Sequence, residues 1–124
     1  MRTRPWDEIA AFLAEVNTET GRFVHLHELL RSIETSGVAD ALSAGTSMHD
    51  LIVVPTPPDW PIRQAIVVRA PGSLRQGPTG TVVIEHLTES GHDERIVRPA
   101  AETVPLFWRF VVEKYGIRPA QNSA

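Results

Sequence analysis

The segment at residues 105–116, PLFWRFVVEKYG, constrains the fold more than any other part of the chain. At helical spacing its apolar residues occupy almost the whole circumference, and only Arg109, Glu113 and Lys114 form a narrow polar stripe. A helix with so little polar surface is stable only when a sheet, another helix or a partner chain covers it. The pattern therefore predicts a buried helix that ends at Gly116.

The first third of the chain has the periodicity of helices. Apolar residues recur at positions 6, 9, 10, 13 and 16, which predicts a helix over residues 6–19. A second apolar stripe at positions 26, 29, 30 and 33 predicts another helix that ends near Gly37. A third, shorter helix is expected over residues 38–44.

From residue 51 onward, short apolar runs replace the helical stripes. Residues 51–54 (LIVV), 65–69, 81–87 (TVVIEHL) and 95–98 (RIVR) each predict a strand. Prolines at positions 55, 57, 58 and 61 favour an extended polyproline conformation, and the glycines and prolines of residues 71–80 predict a loop.

Together these elements predict one α+β domain over residues 1–119, followed by a frayed tail at residues 120–124. We expect two or three N-terminal helices, a small antiparallel sheet of three or four strands, and the buried last helix packed on that sheet.

Composition narrows the functional classes. The chain of 124 residues has no cysteine, which excludes disulfides and thiolate chemistry. No apolar run approaches the ~20 residues that span a bilayer, and the N-terminus does not resemble a secretion signal, so we expect a cytoplasmic protein with no membrane association. The net charge of −3 lacks a dense basic field and argues against nucleic acid as a partner.

Among the residue types in this chain, histidine is the strongest candidate for a catalytic role. His86 shares a strand face with Val82 and Ile84, so it is the candidate general base, with Asp50 or Glu102 as its partner. All three are catalytic candidates in this interpretation.

The other histidines do not predict a metal site. His25 and His27 would be about 200° apart on a helix and unable to share an ion, whereas His92 lies in a polar turn. Since dinucleotide and nucleophile-elbow motifs are also absent from the sequence, we expect neither metal nor cofactor.

Four residues are candidates for ligand binding. Trp60 is held between prolines, which makes it a stiff surface feature suited to a partner or a ligand. Arg75 lies in the glycine-rich loop, and Arg69 or Arg98 is placed to steady an anion.

Three functional hypotheses remain open. The leading one is a small ligand- or partner-binding module that forms a homodimer, because three tryptophans and the apolar last helix occur in so short a chain. The alternative is a cofactor-independent acid–base enzyme of the isomerase, cyclase or hydratase type. A weaker alternative is a winged-helix-like DNA-binding regulator, whose recognition helix would be residues 38–44.

Overall fold

Helices and strands follow one another along the chain in the computed structural model, which describes residues 2–20, 23–73 and 75–120. The described residues form helices α1 (Trp6–Thr20), α2 (Val24–Thr35) and α3 (Thr103–Tyr115), and strands β1 (Leu42–Ser47), β2 (Asp50–Pro55), β3 (Gln64–Arg69), β4 (Thr81–Thr88) and β5 (Glu94–Pro99). Single 3₁₀ turns precede β1 at Ala39–Ala41 and α3 at Ala100–Glu102. The predicted α+β class is confirmed.

The sheet is an antiparallel meander in which each strand pairs with the next, in the order β1 to β5. It has five strands, not three or four, because β1 is an additional strand. The segment predicted as a helix over residues 38–44 instead forms the 3₁₀ turn at Ala39–Ala41 and, from Leu42, the first half of β1. That segment has local helix propensity, but β1 is formed by pairing along its whole length with β2, for example Ala44 opposite Val53.

All three helices cover one side of the sheet, here called the inner face, and bury one continuous apolar core. The prediction for the last helix is confirmed, since Leu106, Phe107, Phe110 and Val111 of α3 are buried within this chain. Two hydrogen bonds fix α3 in place: Trp108 Nε1 donates to Ser32 Oγ at 2.8 Å, and the Tyr115 hydroxyl donates to the carbonyl of Val53 at 2.6 Å. Because the helix is covered internally, it needs no second copy to shield it.

The opposite side, the outer face, is covered by loops. The connection between β2 and β3 packs Ile62 against a small cluster of Val54, Ala65 and Val67. The loop at residues 71–80 folds back over β4 and β5, where a Cβ at Gly77 would lie 3.1 Å from Val83 and 3.2 Å from Val97. The outer face is therefore not a free apolar surface.

Both edges of the sheet are protected. On β1, the carbonyl of Leu42 accepts a hydrogen bond from Trp6 Nε1 at 3.3 Å, and that of Ala44 accepts one from the Arg4 amide at 2.8 Å. On β5, three of the six residues are charged and the strand ends at a proline, features that discourage pairing with another strand.

Two other segments bear on the sequence-based expectations. Between β2 and β3, the Thr56–Pro57 and Trp60–Pro61 peptide bonds are cis, where the sequence suggested an extended polyproline conformation. Of the predicted tail, residues 121–124 lie outside the described residues, and the amide of Ala120 donates to the carbonyl of Ser36 at 2.8 Å.

Candidate functional site

His86 lies on the inner face of β4 beside the last turn of α3. Its Nε2 is 2.9 Å from Oε1 of Gln64, and its ring stands edge-on to that of Tyr115 with centroids 6.5 Å apart. Burial, with a smaller contribution from the Lys114 ammonium, holds the pKa of His86 below its ordinary value. The candidate base is therefore a buried, predominantly neutral imidazole whose Nε2 already has a protein partner.

The two carboxylates named as partners do not lie beside His86. Asp50 projects from the outer face, where it binds the backbone amide of Ala70 at 2.7 Å. Glu102 precedes α3, whereas His86 contacts Tyr115 at the other end of this 13-residue helix. At ~1.5 Å of rise per residue, the length of α3 places Glu102 about 20 Å from the end of the helix that lies beside His86.

Asp50, Arg69 and Glu85 form a charged cluster on the outer face, here called the outer-face cluster. Arg69 donates from Nη1 to Asp50 Oδ2 at 3.0 Å and from Nε to Glu85 Oε1 at 2.5 Å. The side chains of Arg69, Asp50 and Glu85 are only 13%, 11% and 2% exposed, respectively. Burial alone would lower the pKa of Arg69, but the hydrogen bonds and charges of the two carboxylates raise it above its ordinary value. The arginine is thus charged and paired with two carboxylates.

Two further arginines attach the loop at residues 71–80 to this cluster. Arg75 Nη2 donates to Glu85 Oε2 at 2.9 Å, and Arg95 Nε lies 3.8 Å from the same oxygen. Arg95 also donates from Nη2 to the carbonyl of Arg75 at 2.9 Å. Ser73 Oγ donates to Asp50 Oδ2 at 2.9 Å. These contacts hold Ser73 and Arg75, in the middle of the loop, against the outer-face cluster.

The remaining ligand-binding candidates lie apart from the cluster. Trp60 is 61% exposed on the connection between β2 and β3. Arg98 is exposed on β5 and donates to the carbonyl of its neighbour Val97 at 2.9 Å. Of the four predicted residues, the structure brings together only Arg69 and Arg75, on either side of Glu85.

A cleft of about 470 Å³ opens between the first turn of α2 and the loop at residues 71–80. Its apolar surface comes from both layers of the fold, with Phe23 and Leu26 at the start of α2, Val82 and Val83 on β4, and Ala70 directly after β3. The loop and the start of α3 supply the rest of the lining, including Gln76, Pro78, Thr79, Ala100 and Thr103. This volume is within the ~300–1,000 Å³ usual for small-molecule sites.

The ionisable groups that line the cleft already have partners. Arg69 reaches the cleft from the outer-face cluster, where its charge is compensated. His25 Nδ1 lies 3.2 Å from Oε1 of Glu28, one turn further along α2. The cleft thus presents no unpaired charge from the described residues.

The uncharged polar groups divide into two sets. The hydroxyls of Thr81 and Thr103 donate to the carbonyls of Pro78 and Ala100, at 2.5 and 2.7 Å. In contrast, the Thr79 hydroxyl has no hydrogen-bond partner among the described residues. Gln76 accepts a hydrogen bond at Oε1 from the amide of Gly72, but its side-chain amide nitrogen has no partner among the described residues. A neutral donor and a hydroxyl are therefore available at the cleft.

The other histidines contribute to packing and turns. His49 stacks on Phe12 at 5.5 Å and tilts against Phe23 at 5.1 Å, which joins the β1–β2 hairpin to the helices. His92 Nδ1 lies 3.1 Å from Ser90 Oγ in the turn before β5. Within residues 2–20, 23–73 and 75–120, no group of three histidines or carboxylates is placed to hold a metal ion.

None of the helices described is both long enough and apolar enough to cross a bilayer.

Comparison of the chain with protein-family models, with curated proteins and with solved structures gives no match.

Sequence reasoning missed Glu85 and the cleft. In sequence, Glu85 is simply the polar residue between Ile84 and His86 of a strand. The available signal was weak: an acid among apolar neighbours on its own face, Val83 and Leu87, requires a cation from an adjacent strand or loop. The cleft has no linear signature, because its walls come from the separate segments 23–26, 69–71 and 76–83 and from Ala100 and Thr103.

Proposed function

We propose that this protein is a ligand-binding module and that its binding site is the cleft between α2 and the loop at residues 71–80. The observation that carries the proposal is a cleft of about 470 Å³ with apolar walls on α2 and the sheet. Convergence of two layers and a tied-down loop on one concavity is typical of small-molecule sites.

Binding is favoured over catalysis by the state of the ionisable groups. An acid–base enzyme needs a base within reach of its substrate and a second group to orient or accept the proton. His86 is buried against Gln64 and Tyr115, away from the residues that line the cleft. The pairing of His25 and Arg69 with carboxylates likewise favours structural roles for them.

A fragment screen by NMR tests the proposal directly. Compounds that bind should shift the backbone amide signals of residues 23–26, 76–83 and 100–103, which surround the cleft. Binding confined to other surfaces, or no binding at millimolar fragment concentrations, would contradict the proposal.

Two adjacent alanines provide a matched pair of variants for the same screen. Ala100 lines the cleft, whereas Ala101, the next residue of the same 3₁₀ turn, is exposed and does not. Ala100→Phe should fill part of the cavity and abolish fragment binding, while Ala101→Phe should leave it unchanged. Equal loss in both variants would assign the effect to the turn rather than to the cavity.

Self-association stays a prediction of the sequence. It rests on the three tryptophans and the apolar last helix. That helix is covered within the chain, and among the tryptophans Trp60 is exposed and is the candidate for contact between copies. Light scattering of the wild type and of Trp60→Ala tests it: a dimer that becomes monomeric in the variant would support association through this residue.

A further inference from the structure

The pairing of the charged groups around the cleft limits the net charge of a ligand that can bind there. Arg69 lines the cleft but is engaged by Asp50 and Glu85, both nearly buried. His25 is engaged by Glu28. A charged ligand would lose part of its hydration in a site whose described residues offer no unpaired counter-charge, which is unfavourable. A neutral ligand avoids this penalty.

The neutral groups of the cleft indicate the remaining chemistry. Phe23, Leu26 and Val82 provide apolar contact surface on two sides. The Gln76 amide nitrogen and the Thr79 hydroxyl, both without partners among the described residues, provide a donor and a group that can donate or accept. Apolar walls with a few polar groups select by shape and by one or two hydrogen bonds.

We propose that the cleft binds a small, neutral and mainly apolar molecule that carries one amide, carbonyl or hydroxyl group. This inference rests on the proposed function and adds the ligand class to it. The apolar body lies against α2 and the sheet, and the polar group meets Gln76 or Thr79.

Three ligands of nearly equal size and different charge test the inference. Cyclohexanecarboxamide, cyclohexanecarboxylate and cyclohexylmethylammonium are each titrated into the wild-type protein, and dissociation constants are measured from the backbone amide signals of residues 23–26 and 76–83. We expect the carboxamide to bind about tenfold more tightly than either ion, because only the ions bring an uncompensated charge.

Two variants separate the contribution of the hydrogen bond from that of charge. Thr79→Val keeps the size of the side chain and removes its hydroxyl, so carboxamide binding should weaken about threefold if that hydroxyl is used. Glu85→Gln removes one partner of Arg69 while Glu85 itself does not line the cleft, so the carboxylate should gain affinity several-fold and the carboxamide should not.

The wild-type titrations decide the question even if Glu85→Gln does not fold. Tighter binding of the carboxylate or of the ammonium ion at the cleft would overturn the ligand class and leave the binding site intact. If none of the three shifts these signals while fragments bind elsewhere, the proposed function fails and the ligand class with it.

Discussion

Replacing Glu85 with glutamine should lower the free energy of unfolding by about 2–3 kcal/mol. The Glu85 side chain is 2% exposed, and its bond to Arg69 is nearly buried, so losing this charge leaves a buried guanidinium with only Asp50 as its counter-ion. Breaking a fully buried ion pair costs ~3–5 kcal/mol, and the remaining carboxylate reduces that figure. Arg75 and Arg95 are 58% and 39% exposed, so solvent screens their contacts, and together they add about 0.5 kcal/mol.

Urea denaturation followed by circular dichroism measures the effect. With a slope of ~1–2 kcal/mol per molar urea, the transition midpoint should fall by about 1–3 M. Glu89→Gln is the matched control, since Glu89 is exposed just beyond β4 and makes no ion pair among the described residues, and it should change stability by less than ~0.5 kcal/mol. A change this small in Glu85→Gln as well would refute the assignment of the outer-face cluster as a stabilising network.

Three other predictions concern the inner layer. The lowered pKa of His86 means that the unfolded chain takes up a proton at a higher pH than the folded protein, so stability should fall as pH drops through the region just below 6.5. Urea midpoints measured between about pH 5.5 and 7 should lose this slope in His86→Gln and keep it in the exposed control His92→Gln; an unchanged slope in His86→Gln would contradict the assignment. Gly116 ends α3 with φ of 68° and free space around its Cβ position, so Gly116→Ala should cost about 1 kcal/mol from backbone conformation alone, measured by thermal unfolding. Trp108→Phe removes the bond to Ser32 and should also cost about 1 kcal/mol; in a double-mutant cycle with Ser32→Ala the two losses should be less than additive, and full additivity would show that the bond contributes nothing.

The sequence was most informative for elements whose own residue pattern shows which side is buried. The apolar circumference of α3 predicted its position in the core, and the run from Thr81 to Leu87 predicted β4, because both signals are local periodicities. Residues 42–44, at the start of β1, were wrongly predicted as the end of a helix, because their conformation follows from pairing with β2 and not from a local pattern.

The predicted catalytic group illustrates a second limit. His86 was correctly placed on the inner face with Ile84, since strand geometry alone decides which side a residue occupies. That same geometry assigns Asp50 to the opposite face, but the strand containing Asp50 was predicted to begin one residue later, so its face was not determined from the sequence. Positions of paired charges such as Arg69 and Glu85 depend on strand register, which no local pattern supplies.

The protected margins of the sheet determine how two copies of this molecule can meet. Joining strand to strand would first require Arg4 and Trp6 to be displaced from β1, with loss of the hydrogen bonds that they make there. At the other margin, the charges and proline of β5 oppose the same kind of contact. Strand-to-strand association of folded copies is therefore disfavoured at both margins, and contact between them is expected to use side chains instead.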